Sequence, residues 1–282
     1  MQSPSISGRT LTFPIVGHPV AHVRAPAVFN RLFAEAGLNC ACVALDLPAE
    51  TVQAACRALL ASPSVGGLLV TVPYKKALAG IADTLGDEAR RTGAVNALRR
   101  EADGRIHGDL LDGLGFVGGL RAAGCDPRGK RFLLAGAGGA GSAIASALAG
   151  AGASELRIFD SAPGLAAELA QRLAPEFPAT DFHAQQTAQA AGTEVVINAT
   201  PLGLHAGDPL PLPVEPLAPG TLVCDIIMEP QTTPLMAAAA ARGLPVLGGR
   251  PMLDHQSAAY LAFFGFDEAA RRVRVTEQGV TL

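Results

Sequence analysis

The sequence predicts an α/β protein of two domains, and three observations predict it. At 282 residues the chain exceeds the usual size of one domain, so two compact units are the natural expectation. Short apolar runs alternate with segments of helical spacing along the chain. A glycine-rich turn stands between a strand and a helix in its second half. Composition narrows the class further. Hydrophobic residues make up 49% and charged residues 17%, and glycine and proline interrupt the apolar runs before any reaches the roughly 18 residues a membrane span requires. A net charge of −3 and the lack of any basic cluster argue against nucleic acid or an anionic membrane as a partner. No basic segment followed by an apolar stretch opens the chain, and the five cysteines are scattered without a CxxC pair, so a cytoplasmic protein with reduced thiols is expected. The six histidines show no HxH or HExxH spacing, and no metal site is assigned.

The elements follow in order. Residues 11–16 form a short apolar run ending at Gly17, residues 27–36 carry helical spacing through Val28, Leu32 and Phe33, and residues 40–47 are rich in β formers. Residues 49–60 read as helix and 67–72 as a buried strand, after which Pro73 opens a helix expected to run through Leu85. This alternation implies βαβ crossovers and a mostly parallel sheet. A second series follows the segment 113–124. It comprises a strand at 131–135, the turn 136–141, an alanine-rich helix from Ser142, a strand at 155–159 and a helix from about Gly164. Strands at 194–199, 221–227 and 245–247, the last after a helix ending near Arg242, complete a doubly wound pattern. The alanine run 237–241 belongs inside that helix, alanine being the best helix former. A final helix over 252–264 is placed to return the chain to the first domain.

Gly136, Gly138 and Gly141 make a GxGxxG pattern, with Gly139 and Ala140 inside it, directly after a strand and before a helix. The first glycine permits the tight turn, the second lets the backbone approach a pyrophosphate, and the third allows close helix packing. The helix N-terminus adds free N–H groups and partial positive charge for the phosphates. The next strand ends at Asp160, near the ~20-residue spacing expected for the acid that binds a ribose diol. A carboxylate there repels a 2′-phosphate, and residues 161–164 contain no arginine, so NAD is expected in preference to NADP. An alternative reading of Asp160 is a helix N-cap.

Lys75 falls in the first turn of the helix that Pro73 is expected to open. A cation is electrostatically disfavoured at a helix N-terminus, which points Lys75 toward proton transfer, whereas Lys76 fits a solvated charge. More segments give this context: Gly93-Ala94-Val95-Asn96, the stretch 108–116 with Asp109 and Asp112, Asn198-Ala199-Thr200-Pro201-Leu202-Gly203, and Gly249-Arg250-Pro251-Met252-Leu253 followed by Gln256. In this order and at these separations they resemble the shikimate dehydrogenase family, over residues 13–265.

The resemblance implies an N-terminal α/β substrate-binding catalytic domain (1–112 and 252–282) and a Rossmann dinucleotide-binding domain (113–251). It also implies reversible oxidation of shikimate to 3-dehydroshikimate. By position, Lys75 matches the catalytic lysine and Asp112 the aspartate paired with it, although Asp112 also reads as an N-cap. Thr71, Asn96 and Gln256 match substrate-contacting positions, and Asn198, Thr200, Pro201, Leu202 and Gly249 join the glycine turn as cofactor-binding positions. The pattern departs from the family where substrate is recognised. Val23 and Ala25 stand where two serines usually bind the substrate carboxylate, Leu69 and Leu110-Leu111 replace polar residues, and Met228 replaces a tyrosine. Arg24 is then the candidate carboxylate partner, beside its reading as an exposed charge. These changes suggest a divergent shikimate/quinate dehydrogenase-like branch. A small-molecule substrate and a monomer or homodimer are expected. Another two-domain NAD(P)-linked dehydrogenase, or a non-catalytic dinucleotide or metabolite sensor, stays open as an alternative.

Overall fold

The computed structural model describes residues 6–276 and 279–282 and divides into two units, one running up to Leu111 and resuming at Asp254, the other spanning Asp112–Leu253. Pro14 explains the first local feature. It has no N–H to give a ladder, so the run 11–16 splits into β1 (Leu11–Thr12) and β2 (Ile15–Gly17). After α1 (Ala25–Glu35) the segment 40–47 divides likewise into β3 (Cys40–Ala41), which pairs with β1, and β4 (Ala44–Asp46), which pairs with β2. Next come α2 (Val52–Ala61), β5 (Leu68–Val70), α3 (Lys75–Ala79), β6 (Thr84–Leu85), α4 (Asp87–Thr92), β7 (Ala97–Arg100) and β8 (Ile106–Asp109).

The helix expected through Leu85 ends at Ala79. Gly80 caps it, and Asp83 turns instead to the distant hairpin: its N–H donates to the Ile106 carbonyl at 2.8 Å and its carboxylate accepts from the Ile106 N–H at 2.7 Å. That contact seats β6 beside β8. The main sheet of this unit has the order β4-β2-β5-β7-β8-β6. Three of its five strand pairs are parallel, as the alternation led one to expect, and β7 alone runs against its neighbours β5 and β8, the tight turn at 101–105 joining it to β8. A short helix then leads toward the site. In α4, Asp87 and Glu88 occupy the first turn, Arg90 and Arg91 the last, and Gly93 at φ 68° closes it in the left-handed region.

The second unit begins with α5 (Asp112–Ala122), followed by β9 (Arg131–Ala135), α6 (Gly139–Gly150), β10 (Glu155–Phe159), α7 (Leu165–Leu173), β11 (Asp181–Gln185), β12 (Val195–Asn198), β13 (Leu222–Asp225), α8 (Pro234–Ala241) and β14 (Val246–Leu247). Its sheet is all parallel in the order β11-β10-β9-β12-β13-β14. That is the doubly wound order, with its switch point between β9 and β12. Alternation along β9 puts Phe132 and Leu134 in one hydrophobic core and Leu133 and Ala135 in the other, as a sheet covered on both faces requires. The α9 helix (Arg250–Phe263) begins in this unit and ends in the first, which α10 (Asp267–Arg272), β15 (Arg274–Thr276) and β16 (Gly279–Thr281) complete. Among the described residues no helix is long and apolar enough to cross a membrane, and no group of three or more His, Cys, Asp or Glu could hold a metal ion.

Candidate active site

The switch point carries the glycine turn. Gly136 has φ 103°, and a Cβ there would lie 2.7 Å from the carbonyl carbon and oxygen of Ala199. A Cβ on Gly141 would sit 1.9 Å from the Gly136 oxygen, whereas one on Gly138 would meet nothing within 4 Å. Two glycines are thus required by the protein's own packing, while Gly138 leaves space in front of α6. The helix starts at Gly139, three residues earlier than Ser142, so Gly139, Ala140 and Gly141 lie in its first turn, where N–H groups lack intrahelical acceptors. This cradle fits a pyrophosphate.

Asp160 follows β10, but its carboxylate is engaged: one oxygen accepts from the Ala137 N–H at 2.7 Å and the other from the Ala162 N–H at 2.8 Å. It braces the glycine turn and is not the N-cap of α7, a place taken by Gly164. The loop after β12 is equally tied. The amide nitrogen of Asn198 donates to the Leu202 carbonyl at 3.0 Å and to Asp225 at 3.1 Å, while its oxygen accepts from the Thr200 N–H at 3.0 Å and the Thr200 hydroxyl at 2.7 Å. Thr200 Oγ1 in turn accepts from the Leu202 N–H at 3.2 Å, and Pro201 lies within this turn. Gly249 lets α9 start close to β13, since a Cβ there would be 2.1 Å from the Ile226 carbonyl oxygen.

In the first unit the backbone gathers four of the expected residues. The Val70 N–H donates to the Asn96 carbonyl at 2.7 Å, placing Thr71 beside Asn96, and the Val95 N–H donates to the Lys75 carbonyl at 2.9 Å. The Tyr260 hydroxyl donates to the same Asn96 carbonyl at 3.3 Å, and Gln256 sits one turn before Tyr260 on α9. Lys75 is the first residue of α3 and is buried at 9% exposure. A helix of five residues aligns few peptide dipoles, so the helix-end electrostatics inferred from the sequence are weaker than supposed. Asn96 uses its side-chain oxygen to accept from the Leu111 N–H at 2.8 Å, but its Nδ2 and the Oε1 of Gln256 are buried without a hydrogen-bond partner. A donor and an acceptor are therefore left over in one buried group, and such orphans in a native protein call for an explanation. Arg24 stands exposed at the N-cap of α1, and Asp112 is the buried first residue of α5 in the second unit.

Comparison with known proteins agrees with this geometry. The family described as shikimate dehydrogenase substrate binding domain matches residues 15–98. A shikimate dehydrogenase (NADP(+)) of Rubrobacter xylanophilus is 43% identical over 271 residues, covering 95% of each chain. The chain belongs to the shikimate dehydrogenase family. It is an NAD(P)-dependent oxidoreductase acting on a CH–OH group. Among solved structures, shikimate 5-dehydrogenase of Thermus thermophilus in complex with NADP(H) and shikimate is 33% identical at a TM-score of 0.79, covering 93% of this chain and 99% of that one. The 5-ketofructose reductase of a Gluconobacter species is 28% identical at the same TM-score of 0.79, covering 94% and 99%.

The expectation of NAD over NADP is overturned by these findings, since the Rubrobacter relative is named for NADP(+) and the Thermus structure holds NADP(H). Its physical weakness is visible at Asp160. Both carboxylate oxygens already accept from backbone N–H groups of Ala137 and Ala162, so Asp160 is committed to bracing the turn and not free to face a ribose, as the repulsion argument assumed. Sequence reasoning also passed over Asp225 and Thr233. Thr233 followed by Pro234 is an N-cap signal that would have drawn attention to α8, where the Thr233 hydroxyl accepts from the Met236 N–H at 3.3 Å.

Proposed function

We propose that the protein interconverts a hydroxylated cyclic acid and its ketone, shikimate and 3-dehydroshikimate being the leading pair and quinate a related substrate, with NADP as cofactor. One observation carries the reading: Asn96 Nδ2 and Gln256 Oε1 are a buried unpaired donor and a buried unpaired acceptor, on segments tied by backbone hydrogen bonds to the buried Lys75 and the half-buried Thr71. A ring hydroxyl both gives and takes a hydrogen bond, so a polyol completes both side chains. When bound, the nicotinamide supplies the hydride acceptor at the carbinol carbon. Oxidation also requires the hydroxyl proton to leave, and Lys75 Nζ takes it, with Asp112 as the carboxylate that supports the amine. In the reverse direction Lys75 returns that proton to the carbonyl oxygen. Thr71, Asn96 and Gln256 hold the ring, and the glycine turn of 136–141 receives the pyrophosphate, while the backbone of 198–203 and Gly249 complete the cofactor site.

Arg24 is assigned to the substrate carboxylate, since Val23 and Ala25 offer no hydroxyl. A second reading, a neutral keto-polyol, is favoured by the burial of Ala25 among Phe29 and Tyr260 and by the likeness to 5-ketofructose reductase. The protein is read as a cytoplasmic enzyme, monomeric or dimeric, acting on a small molecule. The test is a set of nicotinamide-absorbance assays with shikimate, quinate and a neutral keto-polyol, each with NADP and NAD. Turnover of a cyclic acid with NADP supports the first reading, turnover of the neutral compound alone supports the second, and no turnover of either refutes both.

A further inference from the structure

The end of β13 holds a buried carboxylate for which the proton-transfer scheme has no use. Asp225 is 1% exposed, and all three of its hydrogen-bond partners are donors: the Ile227 N–H at 3.0 Å to one oxygen, and Asn198 Nδ2 at 3.1 Å and the Thr233 hydroxyl at 2.7 Å to the other. The Thr233 oxygen accepts from Met236 at the start of α8, so its hydrogen is directed at Asp225. Because Asp225 takes one Nδ2 hydrogen, Asn198 must turn its oxygen toward Thr200, and its four hydrogen-bonding valences are then all used, three within the loop and one on Asp225. Asn198 has no polar capacity left for a ligand. It is a bracket, and what it supports is the Ala199-Thr200 backbone, the same backbone that a Cβ on Gly136 would strike. A chain of contacts therefore runs from Thr233 and Asp225 through Asn198 to the glycine turn.

We propose that Asp225 is a positioning residue for the cofactor site, with Thr233 as its support, holding the loop 198–203 in register with the glycine turn through the orientation of the Asn198 amide. The inference rests on the reading of 136–141 and 198–203 as the cofactor site. Burial raises the carboxyl above its ordinary value while the three donors oppose that rise, and a carboxylate met only by donors is the form that this hydrogen-bond pattern accommodates. Converting it to asparagine cannot preserve the pattern. Whichever way the new amide faces, an NH2 group meets the Ile227 N–H or meets Asn198 and Thr233, so one donor faces another.

The experiment compares Asp225→Asn, Thr233→Val and Thr233→Ser. In the cofactor-free protein, amide exchange at Thr200 and Leu202 should speed up about tenfold or more in Asp225→Asn while β9 and β10 keep their protection. NADPH should bind more weakly, and kcat should drop about tenfold or more with the KM for the hydroxy acid changed much less. Thr233→Ser should restore what Thr233→Val loses. Wild-type exchange, NADPH affinity and kcat in Asp225→Asn would overturn the proposal. Should Asp225→Asn fail to fold, equal behaviour of the two Thr233 variants would overturn it instead. A wild-type protein that binds NADPH but turns over no hydroxy acid would sink the substrate reading alone, and exchange and NADPH affinity would still decide this one.

Discussion

Replacing Gln256 by methionine should make the protein more stable and a poorer catalyst at once. The side chain is 7% exposed and its Oε1 is a buried acceptor without a donor. An unsatisfied buried acceptor costs about 1–3 kcal/mol, and methionine keeps nearly the same length and volume without the oxygen. Allowing for imperfect packing of the new side chain, a net gain of about 1 kcal/mol is expected, which raises the melting midpoint of a chain this long by about 2–4 °C. In the presence of substrate the sign reverses. The oxygen that is a liability in the empty protein accepts a ring hydroxyl, and losing a hydrogen bond of about 0.5–1.5 kcal/mol raises KM about 2- to 13-fold with a smaller effect on kcat. Thermal melting by circular dichroism and steady-state kinetics on the two proteins measure both. A variant that melts lower and keeps the wild-type KM would refute the reasoning, because the oxygen would then be serving the fold and not a ligand.

The remaining expectations follow from the same geometry. Gly141→Ala places a methyl 1.9 Å from the Gly136 oxygen and should destabilise the folded protein, whereas Gly138→Ala, with open space before it, should melt normally yet bind NADPH more weakly; melting and cofactor titration separate the two. Burial pushes the thiols of Cys40 and Cys56 up to about 11, Cys42 up to about 12 and Cys224 further still, and it raises Cys125 as well, but Cys125 alone of the five is half-buried, so an aromatic disulfide reagent at neutral pH should label native protein there first, and all five after denaturation. Asp208 is held below its ordinary 3.8 by N–H groups of His205 and Gly203, so the order it gives the loop is fully present above 3.8 and is lost as pH falls through the lower folded value. The amide shifts of Gly203 and His205 should titrate with a midpoint below 3.8; a midpoint at or above that value would contradict the assignment.

The second unit was legible because its central strands announce themselves. Residues 131–135 are nearly continuous in apolar character, as an interior strand of a parallel sheet requires, residues 155–159 place apolar Leu156 and Ile158 between Glu155, Arg157 and Phe159, both stretches are short and bounded by turns, and they fold as β9 and β10 with those limits. The edge strand β11 was not legible, since Asp181, His183 and Gln185 give it no apolar run and only main-chain pairing to β10 makes it a strand. The end of α3 was hidden for a related reason. The spacing through Leu78, Ile81 and Leu85 continues a helical pattern, but the chain turns at Gly80 because Asp83 finds its partner at Ile106, far away in sequence. At the site, the glycine turn, Asn96 and Gln256 were readable as motifs. The use of Asp160 as a brace was not, because the hydrogen bond to Ala137 that changes its meaning spans two segments.

The most direct test of the account measures NADP reduction with shikimate and quinate by the wild-type protein beside Lys75→Ala, together with the affinity of each protein for cofactor and substrate. The account predicts turnover by the wild type, a loss of about 10²–10⁴-fold in kcat for the variant, and unchanged binding of both ligands. Near-normal kcat in Lys75→Ala would contradict it.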